Sequence, residues 1–156
     1  MTTTTVRERL EALGIELPEP AAPAANYVPF VRTGSLVFVS GQVPVRDGKL
    51  AYRGKVGVDY SLEEAREAAR LVGLNIIAVV GAACDGDLER VGRCVKLGGF
   101  VNCSDDFENH PAVINGASDL MVDVFGAKGR HARFAVGTNK LPFNVPVEID
   151  AVFEID

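Results

Sequence analysis

Two charged residues near the C-terminus, Arg133 and Glu148, stand fifteen positions apart in the segment HARFAVGTNKLPFNVPVEIDAVFEID. A guanidinium held on a strand can grip a small carboxylate through two parallel hydrogen bonds. A carboxylate on the neighbouring strand can then orient or activate a water against the gripped molecule. The same two side chains fit equally well on the solvated face of a half-buried sheet, where most strand charges lie. Residue types alone leave both readings open.

The residues around the pair read as strands. Phe134 and Val136 alternate with small residues, and Val147, Ile149, Ala151 and Phe153 alternate with Glu148, Asp150, Val152 and Glu154. Leu141-Pro142, Asn144 and Pro146 interrupt the run and predict a turn or short loop. Upstream, residues 5–13 predict a short helix with Val6, Leu10 and Leu13 on one side, closed by Gly14. The stretch PEPAAPAAN, residues 18–26, cannot continue it and predicts an extended linker. Two short strands follow over 28–32 and 36–40, joined at Thr33-Gly34.

Ser61 starts the strongest helical pattern, with Glu64 completing a capping box and Leu62, Ala65, Ala69, Val72 and Ile76 at helical spacing. Asp85-Gly86-Asp87 ends it. RCVKLGGFVNC predicts an apolar strand in which Gly98-Gly99 marks a bulge or the close approach of another backbone. A further helix runs over about 111–124, stopped by Phe125-Gly126. This order predicts an α+β fold: an antiparallel-rich mixed sheet with two helices packed on one face.

Composition bounds the function. At 156 residues one domain is expected, with its own core. The net charge of -5, with no run of Lys and Arg, disfavours nucleic acid as a partner. The N-terminus lacks the apolar stretch of a signal peptide, and the longest apolar segment, residues 71–84, is too short and too interrupted to span a bilayer. Cys84, Cys94 and Cys103 match no zinc module and predict free thiols in a reducing cytoplasm. His110 and His131 cannot build a typical metal site unaided, so no metal is expected. His131, two residues before Arg133, reads as a surface residue at a strand start, with gating of a cleft or tuning of ionisation beside Arg133 as the alternative.

Four segments together resemble the reactive intermediate deaminase (RidA, or YjgF) family. They are Tyr27 in NYVPF, the Ser40-Gly41-Gln42-Val43-Pro44 run, Asn115 in the later helix, and Arg133 followed by Leu141-Pro142 and Glu148. The resemblance covers residues 26–156 as the family-like domain. Residues 1–25, an N-terminal helix and linker, have no counterpart in shorter members, nor has a small insertion near 104–110. It implies a chorismate-mutase-like sandwich (bacillary type), assembled as a homotrimer with ligands in clefts between subunits. It also implies hydrolysis of 2-imino acids, or their enamine tautomers, to 2-oxo acids and ammonia, with no cofactor.

On that resemblance Arg133 grips the carboxylate of a small metabolite and Glu148 orients the attacking water. Tyr27, Ser40 and Gly41 line the cleft, and Asn115 supports it. Two departures stand out. Ala135 occupies a position where many members carry a cysteine, and the VGTNK run after Arg133 is unlike the common pattern. Three activities follow as alternatives: an imine hydrolase, a non-catalytic binder of small carboxylates, and an RNA-acting protein.

Overall fold

The computed structural model describes residues 3–20 and 26–156; of the expected linker, residues 21–25 lie outside the described residues. Helix α1 (Val6–Leu13) opens on a reciprocal capping box between Thr5 and Glu8 and ends at Gly14, whose φ of 67° is left-handed. It docks on the body through the buried Val6, and the Glu89 carboxylate accepts from the Val6 backbone N–H at 2.6 Å. The hairpin of β1 (Phe30–Thr33) and β2 (Leu36–Gln42) turns through Gly34-Ser35, one residue later than expected, because Thr33 pairs with Leu36. A second, two-residue hairpin joins β3 (Val45–Arg46) to β4 (Lys49–Leu50). Asp47 and Gly48 supply its two positive φ angles, 53° and 75°. The Asp-Gly pair is the usual signal for such a turn.

Helix α2 (Leu62–Ala83) begins on the predicted box: Glu64 N–H donates to Ser61 Oγ at 3.2 Å, and Ser61 N–H to the Glu64 carboxylate at 2.8 Å. Strand β5 (Val91–Asn102) and helix α3 (His110–Phe125) follow, then β6 (Ala132–Thr138) and β7 (Val147–Ile155). Five strands form one mixed sheet in the order β1-β2-β7-β5-β6, parallel only between β5 and β6. A parallel pair needs a crossover, and α3 provides it. The fold class expected from the sequence, an α+β sandwich with an antiparallel-rich mixed sheet, is the one observed.

One expectation fails here. The strands of Arg133 and Glu148 are not neighbours, because β5 pairs with β6 on one side and with β7 on the other. The crossover through α3 carries β6 to the outer edge of β5, and the returning chain takes the inner, antiparallel slot between β5 and β2.

Helices α2 and α3 cover one face of the sheet. Beneath them lie the alternating residues Val147, Ile149, Ala151, Phe153 and Ile155 of β7, all buried, with Leu97 and Val101 of β5. The two helices approach along a seam of small residues. A β-carbon at Gly116 would overlap the Arg66 carbonyl oxygen, and one at Gly73 would press on Leu120 and Ala117. Gly98 and Gly99 mark neither a bulge nor an approaching backbone. The irregularities of β5 fall earlier, between Val91 and Arg93 and between Cys94 and Lys96. What approaches Gly98 is the side chains of Asp150 and Phe134, and Gly99 receives Ile114 of α3. No helix among the described residues is long and apolar enough to cross a membrane.

The seam yields a paired prediction. Gly116→Ala forces a methyl into a helix carbonyl and should destabilise the fold by about 1–3 kcal/mol, as overpacking does. Gly81→Ala, in α2, places its methyl at an ordinary 3.8 Å from Leu88 and should stabilise by about 0.5–1 kcal/mol through helix propensity. Denaturant unfolding of the two variants checks both signs.

Candidate functional site

Arg133 lies on edge strand β6 in register with Leu97, a buried residue under the helices, so its side chain runs beneath α3. There its Nη1 donates to Asn115 Oδ1 at 2.7 Å and to Ser118 Oγ at 3.0 Å. Asn115 and Ser118 are three residues apart on α3 and therefore share a face. A guanidinium carries five N–H donors in a rigid fork. The Nε–H and both Nη2 hydrogens have no hydrogen-bond partner among the described residues, and no carboxylate there pairs with Arg133. This open edge has the geometry that takes a carboxylate in two parallel bonds.

His131 is not the plain surface residue the sequence suggested. It is partly buried, with Nδ1 2.6 Å from the Gly129 carbonyl oxygen and Nε2 3.0 Å from Ser118 Oγ. Ser118 itself was missed, since a mid-helix serine carries no signal in a single sequence.

Glu148 stands on the opposite side of the sheet. It alternates with the buried positions of β7 and is in register with the exposed Phe100 of β5, which meets Phe134 of β6 edge to face at 5.4 Å. Gly41 makes room for it: a β-carbon there would lie 2.5 Å from Glu148 Oε2. Strand β2 has one extra residue between Val39 and Gln42, and this bulge brings the Gly41 backbone toward the carboxylate. Desolvation, then the nearby charge of Asp150, raises the Glu148 carboxyl above its ordinary range. No cation among the described residues pairs with it.

Beside Gly41 opens a cavity of about 700 Å³, walled by Tyr27, Val43, Leu50 and Phe143 and reached by Pro18 of the N-terminal segment. Tyr27 is 55% exposed, so it is a wall of this cavity rather than a core residue. The Ser40 hydroxyl donates to the Val28 carbonyl at 2.6 Å, which fastens the Tyr27 loop onto β2. The turn before β7 is pinned from below. Buried Asn102 donates to Asn144 Oδ1 at 2.9 Å and to the Val145 carbonyl at 3.0 Å, and its own oxygen accepts from Lys55 at 2.9 Å. Phe143 and Asn144 take left-handed φ of 57° there, a strained arrangement for an aromatic residue.

The six residues singled out thus form two groups. Arg133 meets Asn115 of α3 on the helix-covered face, while Glu148 and Ser40 lie on the other face, with Gly41 against Glu148 and Tyr27 in the loop that Ser40 fastens. Two strand spacings and three residues of register separate the Arg133 and Glu148 positions, roughly 14 Å of sheet. Within one chain they cannot handle one small molecule together. Elsewhere, Cys103 and His110 meet at 3.4 Å in a smaller depression of about 320 Å³, where burial pushes the thiol up.

Comparison with known proteins places this arrangement among relatives. Residues 7–153 match the family model described as "YjgF/chorismate mutase-like, putative endoribonuclease". Protein TCP17 of Trypanosoma cruzi is 47% identical over 152 residues, which are 97% of this chain and 94% of TCP17. The crystal structure of Atu1372 from Agrobacterium tumefaciens, a protein of unknown function, superposes with a TM-score of 0.91 at 50% identity, covering 97% of this chain and 92% of that one. Escherichia coli TdcF, solved with bound serine, superposes with a TM-score of 0.64 at 27% identity, covering 88% of this chain and 94% of TdcF.

The unpaired, desolvated carboxylate has a consequence for stability. Its folded pKa is raised, so the native state favours the protonated form, and the penalty is present above that pKa and fades as pH falls through it. Glu148→Gln should therefore raise the melting temperature at pH 7, and the gap from wild type should close as the pH is lowered toward the ordinary glutamate range. Thermal unfolding across pH measures it; a gap that widens on acidification would contradict the environment described for Glu148.

Proposed function

The chain belongs to the YjgF/chorismate mutase-like family, and from that premise we propose that it hydrolyses 2-imino acids and their enamine tautomers to 2-oxo acids and ammonia. The observation that carries this reading is the open fork of Arg133, braced on one nitrogen and free on the edge that suits a carboxylate. A guanidinium so placed disfavours amides and amines that lack a carboxylate, because they would leave it unpaired. TdcF binds serine, an amino acid with that same carboxylate, on a similar fold.

The chemistry asks little more. Glu148, as carboxylate, takes a proton from water while the oxygen adds to the C=N carbon. Passed to the nitrogen, that proton completes the carbinolamine; Glu148 then takes the hydroxyl proton and delivers it to the amine nitrogen as the C–N bond breaks, so that ammonia leaves and the C=O of the 2-oxo acid forms. A carboxyl with a raised pKa is well matched to passing one proton back and forth. Such positioning is worth roughly 10²–10⁴-fold, ample for a bond that already hydrolyses readily in water.

Because the two groups lie on opposite faces of one protomer, the reading requires Arg133 and Asn115 of one copy to meet Glu148, Gly41, Ser40 and Tyr27 of another. The uncovered face of the sheet favours such assembly. Phe38, Phe100 and Val136 are 46%, 41% and 41% exposed there, an apolar surface of the kind that binds protein. We take the assembly to be a homotrimer with three shared clefts. The net charge of -5 weighs against the RNA-acting alternative.

Oxo-acid release from 2-iminobutanoate, generated in situ by a dehydratase, tests the activity. The expected result is a rate above the spontaneous one that Arg133→Ala and Glu148→Gln each lower by about 10²-fold or more. The acidic limb of the wild-type pH profile should lie above the usual glutamate range, in keeping with the raised Glu148 carboxyl. Wild type running at the spontaneous rate would remove the enzyme reading; if it still bound oxo acid through Arg133, a carboxylate-binding module would remain. Mass in solution tests the assembly, and a stable monomer would leave every cleft half built.

A further inference from the structure

The Arg133 guanidinium is held by a chain of hydrogen bonds whose direction is set from its far end. The Gly129 carbonyl can only accept, so His131 Nδ1, 2.6 Å away, carries a proton. In a neutral ring that leaves Nε2 as a bare lone pair 3.0 Å from Ser118 Oγ. The Ser118 hydroxyl accordingly gives its hydrogen to His131. Its own lone pair then faces Arg133 Nη1, which donates to it across 3.0 Å. The opposite tautomer is excluded at Gly129, where Nδ1 would set a lone pair against the carbonyl oxygen at 2.6 Å.

The backbone builds this chain deliberately. His131 and Arg133 are two apart at the start of a strand and face the same way, while Asn115 and Ser118 are three apart on α3. Gly129 is buried against α3, and any β-carbon there would overlap the Met121 carbonyl oxygen. Its carbonyl is therefore a fixed anchor, held to the helix that also carries Ser118 and Asn115. Asn115 takes one Nη1 hydrogen at 2.7 Å and Ser118 the other, so the plane of the guanidinium is defined and its Nε–Nη2 edge is turned outward.

We propose that Ser118 and His131 are positioning residues for the carboxylate-binding edge of Arg133, acting through the relay Gly129–His131–Ser118–Arg133. The proposal rests on Arg133 gripping a carboxylate, as argued above. An arginine has four flexible torsions, and an unbraced one must be ordered by its ligand at the ligand's expense. Bracing removes that expense in advance, so the relay acts on affinity for the acid rather than on the chemistry at the C=N carbon. It also makes the tautomer of His131 a determinant of binding, although the ring touches no ligand.

Titration calorimetry with 2-oxobutanoate on the full chain separates the possibilities. Wild type should bind and Arg133→Ala should not. Ser118→Ala and His131→Asn, which keeps the donor to Gly129 but lacks the acceptor at the Nε2 position, should each weaken binding about tenfold, the loss of one charge-assisted hydrogen bond. His131→Gln, whose amide oxygen can replace Nε2, should recover most of the affinity. Each variant should still unfold in one cooperative thermal transition well above the temperature of the titration, which excludes a general loss of fold.

Ring nitrogen-15 NMR of the unliganded protein, at a pH where His131 is neutral, should show Nδ1 protonated and Nε2 bare. A neutral ring protonated on Nε2 would overturn the relay. So would Ser118→Ala and His131→Asn binding as wild type does while Arg133→Ala fails. A wild type with no affinity for the oxo acid would instead sink the carboxylate reading of Arg133, and the relay's purpose with it.

Discussion

The parallel pairing of β5 with β6 is the constraint from which the rest of this molecule follows. Parallel neighbours cannot be joined by a tight turn, so the chain must leave the sheet, cross one face as α3, and return. That crossover lays α3 directly over the edge strand and presses Asn115 and Ser118 onto Arg133. It also vacates the slot between β2 and β5, which β7 fills with nine alternating residues. The helix-facing set of β7 becomes the centre of the core, and the other set, with Glu148, is committed to the uncovered face. One connection thus decides where both charged groups can look.

Each group is then left in a state that folding alone would not select. A guanidinium with one nitrogen satisfied and its outer edge open is an incomplete hydrogen-bonding site. A carboxylate pushed toward Gly41, with no cation paired to it among the described residues, pays in desolvation. The strained Phe143-Asn144 turn adds a third local cost, held in place by Asn102 and its lysine. Groups that lower stability where they stand are the expected marks of a site that completes itself on binding.

What could be read from the sequence was local. The helix closed by Gly14, the box at Ser61–Glu64 and the alternation of β7 all depend on residues within a few positions of one another, and each sits where its pattern put it. The sheet order was not local. Arg133 and Glu148 occupy consecutive strands of the chain, and consecutive strands usually pair, so the inference of adjacency failed at the insertion of β7. The side of the sheet failed for the same reason, since alternation says which residues share a face but not which face a distant strand shares. Gly98 and Gly99 showed that something comes close without saying what. Ser118 and the Asp47-Gly48 hairpin differ: the hairpin carried a readable turn signal, whereas the serine acquires its meaning only through the crossover.

With the open edge of Arg133 on one face of the sheet and the Glu148 carboxylate on the other, the two charged groups are divided, though the core is whole. On the proposed reading, copies of the chain repair the division by turning unlike faces toward each other, so that each cleft takes its arginine from one protomer and its glutamate from the next. A contact between unlike surfaces closes only as a ring, which is why a cyclic trimer suits it and a two-fold dimer does not. Activity and assembly would then be one equilibrium: binding of the acid links two protomers, and by mass action anything that binds the assembled form stabilises it. On that reading the exposed apolar residues Phe38, Phe100 and Val136 would supply the standing part of the association, and the Arg133 fork and Glu148 the part that waits for substrate.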